Sequence, residues 1–223
     1  MNIHDACIGQ DALLNSFGTC MVPGRFAVFD DLAKADNAYV HHTAVPVAVT
    51  TFATISASFA RGRFPDVTLA DVVLKRPYMD RREAAALAAV CGERIPSEPD
   101  PDARDFAAHL LDVIDRRGFH AFYGRYPEHP ACYGIDVRPH GIDWQTHDTD
   151  DVGIRAWRKA YKELEAADQI MIATITWLYI GRRENAWLWR VPYRWHAADA
   201  IHILKEAGLL GDWAKLVALY QGW

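Results

Sequence analysis

The sequence predicts a mainly α protein: a helical domain carrying one long irregular segment. Two observations predict it. Several stretches of 9–18 residues combine helical apolar spacing with capping and stop signals. Between them, Phe119–Asp151 is punctuated by Gly124, Pro127, Pro130, Gly134, Pro139 and Gly141, which rules out a single helix there. The 223 residues, 51% apolar and 24% charged, are typical of a soluble globular chain with a buried core.

In chain order, the short apolar run RFAVF ends at Phe29–Asp30–Asp31. Paired carboxylates at a strand end suit Mg²⁺, but the first turn of a helix suits them too and is preferred. His41–His42 point in different directions in helix or strand, so at most one faces a core. Val45–Phe59 is apolar and β-branched on every face, where buried helix and buried strand look alike; helix is preferred. Asp80–Cys91 starts with an Asp cap and stops at Gly92.

Ile95–Asp102 (IPSEPDPD) alternates proline with polar residues and cannot be helix interior. One domain over 1–223 is expected, the alternative being a division into 1–94 and 103–223 around that crossing. Asp102–Arg117 places Phe106, Leu110, Val113 and Ile114 on one face and stops at Gly118. Asp151–Asp168 carries Ile154, Trp157, Tyr161 and Leu164 at helical spacing among charges. Ile170–Ile180 is the second ambiguous segment: a helix, which is preferred, or the first strand of a small hairpin spanning 170–191. Trp195–Ala207 and Asp212–Tyr220 form a helical hairpin across Gly208–Gly211.

The charge and cysteine content limit the function. A net charge of −5 argues against a protein that coats nucleic acid, which needs a basic face. Cys7, Cys20, Cys91 and Cys132 are far apart with no CxxC pair, and no secretory leader is seen, so a cytoplasmic location with free thiols is expected. No apolar run reaches membrane-span length, so no membrane partner is expected. Phosphate-loop, dinucleotide, nucleophile-elbow, zinc-protease and EF-hand patterns are all missing.

Four of the ten histidines, His120, His129, His140 and His147, fall within Phe119–Asp151, with five aspartates and many aromatics. Disordered segments are poor in aromatics, so this one is expected to be ordered and packed on the scaffold, where binding groups tend to sit. Its Asp148, Asp150 and Asp151 are read as the cap region of the following helix. Cys132 has His129 three residues before it, the minimum for an activated thiolate nucleophile.

His196–Ala–Ala–Asp199–Ala–Ile–His202 is the best local constellation. On a helix, Asp199 would lie about 60° from each histidine, and the two rings about 9 Å apart along the axis. Asp199 with one ring could serve acid–base catalysis or a divalent metal of the Zn, Fe or Mn type, completed by His120, His140 or His147. A His–Asp hydrogen bond on a helix surface is the competing reading. Trp187, Trp189, Arg190, Tyr193, Arg194 and Trp195 mix indoles with guanidinium groups, as ligand pockets and protein interfaces do. An aromatic core rimmed by arginines is the competing reading and is preferred.

Two functional classes follow. One is an enzyme or small-ligand-binding protein with a His/Asp/aromatic pocket, metal-dependent or not. The other is a non-catalytic protein whose Trp/Arg surface docks a protein partner or a second copy of itself as a homo-oligomer.

Overall fold

A computed structural model of the chain describes residues 13–14, 19–22, 25–28, 56–63, 68–74, 91–93, 103–125, 137–143, 146, 148–180 and 195–220. Outside these lie Asp30–Asp31, His41–His42, most of Val45–Phe59, the helix expected from Asp80 up to its last residue, and the 95–102 crossing. The chain forms two compact units. One comprises Met1–Ile95 with Arg194–Ala218, and the other Pro96–Tyr193 with Leu219–Trp223. The described residues are mainly helical, as the sequence predicts.

The first unit begins with an antiparallel meander of β1 (Leu13–Leu14), β2 (Thr19–Val22) and β3 (Arg25–Val28). Its register pairs Leu13 with Met21 and Val22 with Arg25. The RFAV run is thus a strand, and Pro23–Gly24, a turn-forming dipeptide, separates it from its partner. Helices α1 (Ala57–Arg63) and α2 (Leu69–Leu74) both pack on α6 (Ala197–Glu206). Leu69 N–H donates to the Trp195 carbonyl at 3.0 Å, and Thr68 pairs with His196 as an isolated antiparallel bridge. Leu69, Val72, Ile201 and Leu204 are buried in this unit.

The turn from α6 to α7 (Leu210–Leu219) has a specific chemical cause. Gly208 takes φ +70°, Gly208 N–H donates to Lys205 O, and Leu209 N–H donates to Leu204 O at 2.8 Å. These two bonds form a Schellman cap, completed by apolar burial of Leu204 and Leu209. Gly208→Ala forces a Cβ into the left-handed region and should destabilise the fold by about 1–2 kcal/mol. The drop should appear as a lower urea midpoint, and an unchanged midpoint would show the turn can relax.

In the second unit, α3 (Ala103–Arg117) buries the predicted face of Phe106, Leu110, Val113 and Ile114. A 3₁₀ turn (Phe119–Ala121) leads into β4 (Tyr123–Arg125), which pairs antiparallel with β5 (Val137–Pro139). A small hairpin therefore lies inside the segment read as irregular, and the expected first strand at 170–180 is part of helix α5 (Ala166–Ile180).

The expected single helix Asp151–Asp168 is in fact two. Helix α4 spans Asp151–Lys162, and the chain breaks before α5 starts at Ala166. Gln169 explains the break. Its side-chain amide donates to both Tyr161 O and Leu164 O at 3.1 Å, satisfying carbonyls that a continuing helix would have bonded internally. Tyr161 Oη returns a hydrogen bond to Gln169 O.

From Ile170 to Leu178 every residue of α5 is buried, which explains its lack of an apolar face in sequence. Its buried Thr176 is satisfied by Tyr123. Tyr123 Oη donates to Ile172 O at 2.9 Å, so Thr176 Oγ1, 3.1 Å away, donates to the phenol oxygen. Among the described residues no helix is long and apolar enough to cross a membrane.

Candidate anion-binding cleft

The His196–Asp199–His202 constellation does not keep the expected geometry. His196 is not on the helix. It is the N-cap residue of α6, with φ −58° and ψ 134°, so the 60° spacing to Asp199 does not apply to it. Its ring is exposed and makes no capping bond. Asp199 instead sits 3.6 Å from Arg61 of α1. The sequence pattern could not show this, because Arg61 lies 138 positions away in the chain.

His120 and His140 belong to the second unit. His120 Nε2 is 3.5 Å from Asp115, and both side chains are about two-thirds exposed. His140 Nε2 lies 3.2 Å from the His120 carbonyl, which can only accept, so the ring carries its proton on that nitrogen. The ring covers Gly124 so closely that any Cβ there would collide with it. His129, Cys132 and His147 lie outside the described residues. Among the described residues, no group of three or more His, Cys, Asp or Glu side chains is placed to hold a metal ion.

Of the Trp/Arg set, Trp187, Trp189, Arg190, Tyr193 and Arg194 lie outside the described residues, and Trp195 is half-buried. Trp157, Trp177 and Trp213 are core. Arg138, itself buried, lies 5.8 Å from the ring centre of Tyr179. In the first unit the half-buried Cys91 thiol is pushed up to about 12, chiefly by burial and then by the Glu93 carboxylate, so it stays protonated and inert at neutral pH.

The site that does emerge lies on α4. Asp150 caps the helix by accepting from Val152 N–H at 3.0 Å. On its inner face, Trp157 stacks on Tyr161 at 5.3 Å and 9°, meets Phe122 edge-on, and donates its indole N–H to Phe122 O at 3.2 Å. This anchored face holds the outer one in place. There Arg155, Arg158, Lys159 and Lys162, with Glu163, line an open cleft of about 340 Å³.

At positions i, i+3, i+4 and i+7 the four cations fall within a stripe about 100° wide. Arg155 with Lys159 and Arg158 with Lys162 are like-charge i, i+4 pairs, each costing about 0.2–0.5 kcal/mol. Elsewhere arginines are matched to acids: Arg116 to Asp112 at 2.8 Å, Arg117 to Asp168 at 2.6 Å, Arg61 to Asp199. Among the described residues, Arg155, Lys159 and Lys162 have no such ion pair. A cleft lined mostly by one sign of charge, here four cations with Glu163, draws counter-charge.

These four residues were missed in the sequence, where they read as the charges around an apolar stripe. The signal was the spacing 155, 158, 159, 162 with one sign of charge. Comparison with protein-family models, curated proteins and solved structures finds no match to this chain.

Proposed function

We propose that the protein binds a small anionic ligand in the α4 cleft. The observation that carries this is the set of four cations around a cavity of about 340 Å³, in a chain whose net charge is −5. That volume is in the range of small-molecule sites, roughly 300–1,000 Å³. Of the two classes open from sequence, this is the ligand-binding one, with its site on α4 and not in a His/Asp/aromatic pocket. The Trp157–Tyr161 backing favours it, since it fixes the helix backbone from which the four cations extend.

A thermal-shift series with sulfate, phosphate, citrate and tripolyphosphate at constant ionic strength tests the proposal. At least one multivalent anion should raise the melting temperature. An anion at 100 times its Kd stabilises by about 2.7 kcal/mol. Arg155→Ala with Lys159→Ala should abolish the shift while leaving the melting temperature without ligand nearly unchanged, because both side chains are exposed. Equal shifts in wild type and double variant would place anion binding elsewhere and refute the cleft.

A further inference from the structure

We infer that the ligand of the α4 cleft carries a cationic group beside its anionic one, as a small phosphorylated amine does, and that Glu163 selects for it; this rests on the anion-binding proposal above. Glu163 lines the cleft together with Arg155, Lys159 and Lys162. Among the described residues its carboxylate has no ion pair, although both lysines are near it in the chain. The cleft therefore presents uncommitted charge of both signs.

The helix explains why these opposite charges stay apart. Lys159 stands four residues before Glu163, which is the less favourable order for an i, i+4 pair. Lys162 is the chain neighbour of Glu163, and adjacent residues on a helix do not face each other. Glu163 is also the C-cap residue of α4, its N–H donating to Ala160 O and Tyr161 O. A carboxylate there meets the negative end of the helix dipole, where a cation is favoured. The Arg155 guanidinium fork suits two oxygens of one phosphoryl group, and the Lys159 ammonium adds a point charge. Glu163 follows Lys159 by about 6 Å of axial rise. A ligand with its phosphoryl group towards Arg155 and an ammonium towards Glu163 matches both signs of charge. A plain anion leaves Glu163 as a like charge at the rim, which opposes its binding.

Titration of the full chain with aminopropyl phosphate, propyl phosphate and tripolyphosphate, followed by NMR, tests this inference. Aminopropyl phosphate should bind about fivefold more tightly than propyl phosphate, which lacks only the amine, a difference of about 1 kcal/mol. Exposed ion pairs reach that size. Glu163→Gln, at an exposed position, should erase the preference. It should leave propyl phosphate binding equally or more tightly, a gain that a merely structural carboxylate would not give. Equal affinity for the two monoesters in the wild type would overturn the amine class and leave anion binding standing. So would tripolyphosphate binding with neither monoester doing so. A preference that survives Glu163→Gln would overturn Glu163 as the selecting residue. No binding of any of the three would refute the cleft itself.

Discussion

Trp157→Ala should cost about 3–5 kcal/mol, the usual range for deleting a fully buried Trp or Phe. Trp157 is 1% exposed and ties helix α4 to the Phe122 turn. It stacks on Tyr161 of α4, meets Phe122 at 5.3 Å and 90°, and satisfies the Phe122 carbonyl through its indole N–H. Since a domain is stable by only about 5–15 kcal/mol, the variant should approach the edge of folding. With a urea slope of about 2 kcal/mol per M, the midpoint should fall by roughly 1.5–2.5 M. Trp157→Phe keeps most of the apolar volume and removes one of two hydrogen bonds to Phe122 O, which still accepts from His140 N–H at 2.9 Å, for a smaller loss of about 0.5–1.5 kcal/mol. A midpoint unchanged in both variants would mean that the aromatic stack contributes nothing to this unit.

Alkaline pH should destabilise the same core steeply. Burial pushes the phenols of Tyr123 and Tyr161 well above their ordinary value of 10.0. For Tyr123 the bond with Thr176 pulls the other way but is the smaller effect, and neighbouring Tyr179 and Tyr161 add to the rise. Both groups hold their protons in the folded state when the unfolded chain has lost them. Their contribution is therefore fully present below pH 10 and is lost as pH climbs past it. Each group removes about 1.4 kcal/mol per pH unit in that window, so the pair removes about 2.7 kcal/mol per unit. Urea midpoints measured at pH 9, 10 and 11 should show the fall. Tyr161→Phe should remove about half of the slope. A variant with the full wild-type slope would assign the alkaline loss to other groups.

Much of the helical layout was legible in the residues. Asp102–Arg117 was readable because its four apolar side chains repeat at helical spacing and Gly118 ends it, and the structure buries those four. The Gly208 turn was readable for the same reason: a glycine follows the last periodic residue and supplies the left-handed conformation a Schellman cap needs. By contrast, the helix expected from Asp151 to Asp168 gave no sign of its break. The break depends on the Gln169 amide reaching back to Tyr161 O and Leu164 O, and a glutamine is an ordinary helix residue in a sequence.

The candidate site was less legible than the fold. The His196–Asp199 pattern was conspicuous, yet His196 turned out to be the N-cap residue and Asp199 to face Arg61. The α4 cations were inconspicuous because charges opposite an apolar stripe are the default surface of a helix. What distinguishes them is that most lack acidic partners, and partners such as Asp168 and Asp199 are assigned only when α-helices are packed.

The sequence by itself determined where helices can begin and end and which faces are apolar, because spacing, caps and glycines act over a few residues. It also determined a cation stripe on α4, since i, i+3, i+4 and i+7 share a face on any helix. Tertiary structure alone decided that 170–180 is a buried helix and not a strand. An all-apolar segment satisfies either geometry, and the choice rests on contacts such as Tyr123 with Ile172 and Thr176, some 50 residues apart. It alone decided which charges are neutralised, because Coulomb attraction depends on distance in space and not along the chain.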